Sequence, residues 1–298
     1  MCLKIFKTKK WNSIKELLNA AVQVLEKANI DDAKQNVNQM ASKALNISYT
    51  QLPLHWQKTV SDSFLNDFDS MINRRLAHEP LQYILGEWCF LDFEVYVDKG
   101  VLIPRPETED VFLAAEKAIK ANFIRLDFHF ADIGTGTGVL GLAMAKYFPE
   151  SIGYLVDVSD KALEIAKSNL QKYSELKSRL NLIKSDLLEA FKSDSLDVII
   201  SNPPYIDSEE VKSLMPEVVD YEPHLALDGG RNGLELIDKL LKQAEIVLRN
   251  KGLLIFEHGH GQRNEIKKLL SSCWEILKEG NDFAKKERFF ILKLLKDN

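Results

Sequence analysis

The sequence has little cysteine: Cys2, Cys89 and Cys273 are far apart, odd in number and without C-x-x-C spacing. That scarcity argues against a disulfide framework or a structural zinc site, and for a reducing, cytoplasmic setting. No apolar run approaches the ~18 residues that a membrane span needs. Positive charge is not in excess either. Lys and Arg number 39 against 44 Asp and Glu, a formal net charge of −5, the wrong sign for a protein whose main partner is a nucleic-acid backbone. Lysines stand at 4, 7, 9 and 10, but no apolar stretch with a small-residue cleavage site accompanies them, so no secretory signal is expected. Internal repeats and low-complexity segments are missing too. What remains is ordinary globular composition, 45% apolar and 28% charged, with length for one large domain or two smaller ones.

The first part of the chain is patterned as helix. Trp11, Ile14, Leu17, Leu18, Ala21, Val22 and Leu25 recur at helical spacing up to about Ala28. A second helix is expected from a cap at Asp31 or Asp32 to about Leu45, and a third, with Val60, Phe64, Phe68, Met71 and Ile72 on one side, to Ala77. Residues 1–79 thus read as a small helical module, a cap or partner-binding appendage. Between Leu81 and Ile103 aromatic and β-branched residues dominate, broken by Asp98-Lys99-Gly100, which predicts a β-hairpin linker over 80–105. Pro106, Glu107 and Glu109 then open a helix through about Ala121.

From 106 to 298 strands and helices alternate, the signature of an α/β, doubly wound, mostly parallel sheet. Strands are expected near 128–133, 153–157, 181–184, 196–201, 253–257, 273–278 and 288–294, the last two pairing as an antiparallel hairpin. Helices are expected near 138–148, 160–172, 233–248 and 262–271.

Directly after the first of these strands comes Asp132-Ile133-Gly134-Thr135-Gly136-Thr137-Gly138. Glycines let a backbone turn tightly and approach a ligand at a helix N-terminus, and Asp157, ending the next strand, is placed to accept both hydroxyls of a ribose. Together these make a nucleoside-binding unit. Counted from Gly134, the spacing lacks the third glycine of G-x-G-x-x-G, where Val139 stands, and Asp132 suits a cationic ligand better than a pyrophosphate. Both features lean toward S-adenosylmethionine over a nicotinamide dinucleotide. Ser185-Asp186, followed by Leu187, ends the third strand, where Asp186 either meets an adenine amine or caps the next helical turn. His258 and His260 lack a third ligand at a fixed offset, so no metal site is read there.

Asn202-Pro203-Pro204-Tyr205 comes after Leu196, Val198, Ile199 and Ile200, an apolar run that reads as a buried strand stopping abruptly. It therefore falls at a strand's C-terminal edge, where open α/β sheets bind ligands. Two prolines fix two φ angles and remove two donors, leaving rigid acceptors beside the Asn202 side-chain oxygen and the flat face of Tyr205. Such a cluster suits a planar NH2 group, a carboxamide or a base amine; its plainer reading is a strand ending in a proline-rich turn.

Asn202-Pro203-Pro204-Tyr205 after such a glycine loop resembles the signature shared by DNA adenine, rRNA guanine and protein glutamine methyltransferases. With Arg74-Arg75, Glu79 through Gly86, Leu102 through Glu109, Tyr221-Glu222-Pro223 and Glu257-His258-Gly259, the order of motifs over roughly residues 60–294 is similar to that of the release factor glutamine methyltransferases, the PrmC/HemK family. The resemblance implies a Rossmann-like class I S-adenosylmethionine-dependent methyltransferase domain with a seven-stranded sheet. It also implies N5-methylation of the glutamine in the Gly-Gly-Gln motif of peptide chain release factors. The glycine loop maps to Gly134, Thr135, Gly136, Thr137 and Gly138, the ribose acid to Asp157, the adenine side to Asp186 and Leu187, and the amide clamp to Asn202, Pro203, Pro204 and Tyr205. Leu187 stands where relatives often carry an aromatic.

The implied partner is a release factor, gripped by the helical module, with no nucleic acid or membrane bound and the enzyme a monomer. Asn202 Oδ1 and the Pro203 carbonyl would each accept one N–H of the substrate amide, with Tyr205 against its plane and no side chain needed as a base. The segment Asp207 to Asn232 reads as a lid or docking loop. The rival reading is a DNA adenine N6-methyltransferase, whose amine would suit the same clamp; net charge and the lack of a base-reading domain count against it.

Overall fold

The structure, a computed structural model, describes residue 6 and residues 10–296; Cys2 and the lysines at 4, 7 and 9 lie outside the described residues. The chain divides into two units. One runs to Glu87 and takes in Pro216–Tyr221, and the other is Trp88–Met215 with the chain from Glu222 onward.

In the first unit α1 (Ile14–Lys27) begins where the Ser13 side chain accepts from Glu16 N, and it buries Ile14, Leu17, Leu18, Ala21 and Leu25 on one face. In α2 (Ala33–Leu45) Asp32 takes the cap position, but with a left-handed backbone (φ 52°) and no side-chain cap bond, so the expected capping role is not performed. α3 (Asp62–Leu76) starts at Ser61, whose side chain accepts from Phe64 N, and ends on Arg74 and Arg75, cations at the negative end of its dipole. Leu17, Leu25, Val37, Met40, Phe68 and Ile72 have no exposed surface and form this unit's core.

The β pattern expected from Leu81 begins later than the sequence suggests. Leu81–Leu85 form a short helix, α4, closed by Gly86 at φ 76°. Its last carbonyls are satisfied by Arg74, whose guanidinium donates to Tyr83 O at 3.1 Å, a tertiary stabilisation of a helix end that local propensity does not reveal. β1 (Glu87–Phe90) and β2 (Phe93–Tyr96) then make the hairpin. It turns at Leu91-Asp92, with Leu91 at φ 48°, and not at Asp98-Lys99-Gly100.

The larger unit continues with α5 (Pro106–Asn122), β3 (His129–Ile133), α6 (Val139–Tyr147), β4 (Ile152–Asp157), α7 (Asp160–Lys172), β5 (Leu180–Lys184) and β6 (Leu196–Ser201). After Asp207 come two single-turn helices, α8 (Ser208–Val211) and α9 (Pro216–Val219), the second belonging to the first unit, and 3-10 turns at His224–Ala226 and Arg231–Gly233. The segment read as a loop is thus built of helical turns. α10 (Glu235–Val247), β7 (Leu248–Glu257), α11 (Arg263–Leu269), β8 (Trp274–Asn281) and β9 (Glu287–Leu294) complete it.

The seven strands form one sheet in the order β5-β4-β3-β6-β7-β9-β8, parallel except for β9, which runs antiparallel between β7 and β8. This is the doubly wound, mostly parallel sheet expected. Val198, Ile199 and Ile200 have no exposed surface, as a central strand covered on both faces requires. Ile133 pairs with Val156 on one side and Ser201 on the other, and Ser201 with Phe256. Gly134, Asp157, Asn202 and Glu257 therefore come to one row at the C-terminal edge. There the chain reverses its direction of travel across the sheet, the switch point at which such sheets open a crevice.

Candidate active site

The loop between β3 and α6 holds Gly134, Gly136 and Gly138 at φ 68°, 52° and 86°, left-handed conformations that glycine adopts without the strain a side chain would add. Thr135 N donates to Val156 O at 2.9 Å, locking the loop against the neighbouring strand. Asp157 Oδ2 accepts from Gly136 N at 3.0 Å and Oδ1 from Ser159 N at 2.9 Å, so its carboxylate is fixed by backbone alone. Burial pushes its carboxyl above the usual range, and those backbone donors oppose the push. Asp132 is 1% exposed. Its Oδ2 accepts from Thr135 Oγ1 at 2.5 Å and Gly141 N at 2.9 Å, and burial drives its pKa up to about 7.

Gly141 was not singled out in the sequence. A Cβ there would lie 2.0 Å from Leu155 Cδ2, so the helix approaches β4 only because the side chain is absent. Gly136, Gly138 and Gly141 in fact carry G-x-G-x-x-G spacing, which counting from Gly134 concealed, so glycine spacing does not separate the two cofactor classes. The charges do.

The crevice is a cavity of about 310 Å³, within the size range of small-molecule sites. Gly134, Thr135, Gly136, Thr137, Asp157, Asp186, Leu187, Asn202 and Pro204 all line it, with Asp132 and Thr108. Pro223, Leu225 and Ala226 contribute further apolar wall. Gly138, Pro203 and Tyr205 do not line it. The Gly138 Cα faces α7, where a Cβ would meet Ala166 Cβ at 3.4 Å, and Pro203 is buried. The described lining includes three carboxylates, Asp132, Asp157 and Asp186, and no Lys, Arg or His. Such a lining repels a pyrophosphate and accommodates a cation. Asp186 is not wholly available, since its Oδ2 accepts from Lys239 Nζ at 2.6 Å.

On the substrate side, three elements converge through hydrogen bonds. Asn202 Nδ2 donates to Thr108 Oγ1 at 3.0 Å, Thr108 Oγ1 donates to Glu257 Oε2 at 2.7 Å, and the Tyr205 hydroxyl donates to Glu257 Oε1 at 2.9 Å. Glu257 is 1% exposed and Thr108 4%. Burial raises the Glu257 carboxyl's pKa, while its hydrogen bonds from Thr108 and Tyr205 and the nearby Arg288 charge pull the other way. Burial and the Glu257 charge hold the Tyr205 phenol far above its ordinary value, so it stays a donor. Nothing in the spacing pointed to Thr108; its only signal was membership of the Leu102 to Glu109 motif. Arg105 Nη2 donates to both Glu222 oxygens at 2.7 Å, tying the start of α5 to the residue before Pro223.

His258 is buried, donates from Nδ1 to its neighbour's carbonyl, Gly259 O, at 2.7 Å, and is pulled down to about 4 by burial, so it is neutral at pH 7. His260 is exposed. Among the described residues no group of three or more His, Cys, Asp or Glu is placed to hold a metal.

A doubly wound sheet with a glycine loop after one strand and an acid ending the next, around a crevice walled by carboxylates, defines a class I S-adenosylmethionine-dependent methyltransferase fold. Solved structures agree on that fold: a methyltransferase from Pyrococcus furiosus has TM-score 0.50 and 19% identity, covering 69% of this chain and 90% of its own. TYW2 of Pyrococcus horikoshii in complex with MeSAdo has TM-score 0.50 and 11% identity, covering 71% of each chain.

Sequence comparison then narrows the class. The family described as PrmC N-terminal domain matches residues 16–86, and that described as methyltransferase small domain matches 116–231. A release factor glutamine methyltransferase of Thermodesulfovibrio yellowstonii is 37% identical over 75% of this chain and 80% of its own length. That of Clostridium acetobutylicum is 31% identical over 92% and 96%, and that of Moorella thermoacetica 32% over 94% and 98%. The chain belongs to the release factor glutamine methyltransferase family. The DNA adenine alternative is not favoured by these relatives.

Proposed function

We propose that the chain methylates the side-chain amide N5 of the glutamine in the Gly-Gly-Gln motif of peptide chain release factors, with S-adenosylmethionine as donor, as a monomer in the cytoplasm. The observation that carries this reading is the position of Asn202 on the wall of a cavity where, among the described residues, the charged lining is all acidic. When bound, the cofactor supplies an electrophilic methyl group on a positively charged sulfur, and Asp132, Asp157 and Asp186 with the glycine loop are the residues that would hold it. Asp157 keeps lone pairs for a ribose while its backbone donors fix it, and Leu187 adds apolar surface.

A carboxamide nitrogen is a weak nucleophile because its lone pair is delocalised. Asn202 Oδ1 accepts one of its N–H groups, which orients the nitrogen, while Pro203, buried behind the lining, stiffens the backbone that carries Asn202. Positive charge developing on that nitrogen strengthens the bond to Oδ1, so it favours the transition state over the ground state. Tyr205, outside the cavity lining, serves through its hydroxyl on Glu257 rather than through its face. Incubating the protein with labelled S-adenosylmethionine and either a release factor or duplex DNA tests the reading, and label in the DNA alone would end it. The helical unit, with Pro216–Tyr221, is the part we assign to holding the release factor. Removing residues 1–79 is expected to lower activity on the whole factor more than on a short Gly-Gly-Gln peptide, and equal losses would remove that role.

A further inference from the structure

We infer that Glu257, acting through the Thr108 hydroxyl, decides which end of the Asn202 amide is offered to substrate, making Thr108 and Glu257 positioning residues that select an NH2-bearing group. The inference rests on the amide-clamp reading above and adds the device that gives the clamp its polarity.

An Asn side chain has two ends of nearly equal shape and opposite character, a donor NH2 and an acceptor oxygen. Turned one way, Asn202 accepts from a substrate amide; turned the other, it sets donor against donor and binds a carbonyl or carboxylate oxygen instead. Shape cannot decide between these. Proton counting can.

A carboxylate accepts and does not donate. Glu257 has both oxygens engaged, Oε1 by the Tyr205 hydroxyl at 2.9 Å and Oε2 by the Thr108 hydroxyl at 2.7 Å. A hydroxyl carries one proton, and Thr108 spends its proton on Glu257. Its oxygen toward Asn202 is then an acceptor, which requires the amide's NH2 end, and Nδ2 lies 3.0 Å away. Oδ1 is therefore turned from Thr108, on a residue that lines the cavity. Thr108 and Glu257 are 4% and 1% exposed, so water does not compete for these bonds. Burial raises the Glu257 carboxyl's pKa, and the hydrogen bonds from Thr108 and Tyr205, with the nearby Arg288 charge, oppose that rise and favour the ionised, accept-only form.

Removing the Thr108 proton relay frees the amide to turn over, and with it the preference for an NH2-bearing substrate. The test is single-turnover methylation of a release factor by Thr108→Val, Thr108→Ser and Asn202→Ala, alone and with Val and Ala combined, with cofactor affinity measured by calorimetry. Thr108→Val is expected to slow turnover about 10- to 100-fold. Cofactor affinity should be unchanged, Thr108→Ser should run near wild type, and Thr108→Val should add no cost in the Asn202→Ala background. Three results overturn the inference: wild-type turnover in Thr108→Val, an equal cost in both backgrounds, or loss of cofactor affinity with turnover, which marks a merely structural hydroxyl. If Asn202→Ala is itself crippled, any of these leaves the clamp standing. Wild-type turnover in Asn202→Ala sinks the clamp and the inference with it.

Discussion

The two walls of the crevice are built on different principles. The cofactor wall is local: Gly134, Gly136 and Gly138 take left-handed conformations, Asp157 is held by backbone donors two and 21 residues away, and Asp132 by groups three and nine residues away. The substrate wall is non-local, since Asn202 reaches Thr108 across 94 residues and Thr108 reaches Glu257 across 149. A wall made of backbone geometry tolerates changes elsewhere in the fold. A wall made of side chains from three elements depends on each of them, and concentrates its function in one atom, Asn202 Oδ1.

That contrast gives the largest expected effect to Asn202→Ala. Turnover should fall by about 10²- to 10³-fold, the usual consequence of losing one preorganised partner of the developing charge, with cofactor affinity within a few-fold of wild type. Parallel loss of both in calorimetry and single-turnover assays would erase the division between the walls. Asp157→Ala should do the reverse, weakening cofactor binding by about 10- to 100-fold, the worth of hydrogen bonds to a charged group, while leaving saturated turnover closer to normal. Unchanged affinity would remove Asp157 from the cofactor wall.

A smaller and pH-dependent effect belongs to Asp132. Its carboxyl is raised to about 7 by burial, from about 3.9 in an unfolded chain. The ligand-free fold therefore holds this proton more tightly than the unfolded chain does. The resulting stability is complete below about pH 3.9 and is lost as pH rises through about 7. A cationic ligand favours the ionised form, so cofactor affinity should climb by up to about tenfold per pH unit below 7 and level off above it. Asp132→Asn should flatten that profile; a flat profile in the wild type would separate Asp132 from the ligand's charge. The smallest effect is expected from Lys239→Met. Its ion pair with Asp186 is at the surface, and such pairs contribute little, so cofactor affinity should shift by less than about fivefold. A larger shift would show Asp186 to be a principal ligand group.

Most strands and helices of the larger unit were legible because period and punctuation are local properties. α7 lies at Asp160–Lys172 and β6 at Leu196–Ser201, where the apolar patterns put them. Leu81–Leu85 was misread because five mostly apolar residues carry no decisive period, and what makes them helical includes a guanidinium from α3. Gly141 was overlooked because its role is a distance to Leu155, which no spacing records.

By itself the sequence determined the doubly wound order, the glycine loop, the acid at Asp157 and the proline-stiffened end of β6. Each comes from φ restrictions, periodicity or a short offset along the chain. Only the tertiary structure decided that Asp186 is shared with Lys239, that Tyr205 turns its hydroxyl to Glu257, and that Thr108 takes the NH2 end of Asn202. Hydrogen-bond polarity depends on where each proton is spent, and those partners become neighbours only when the sheet has formed.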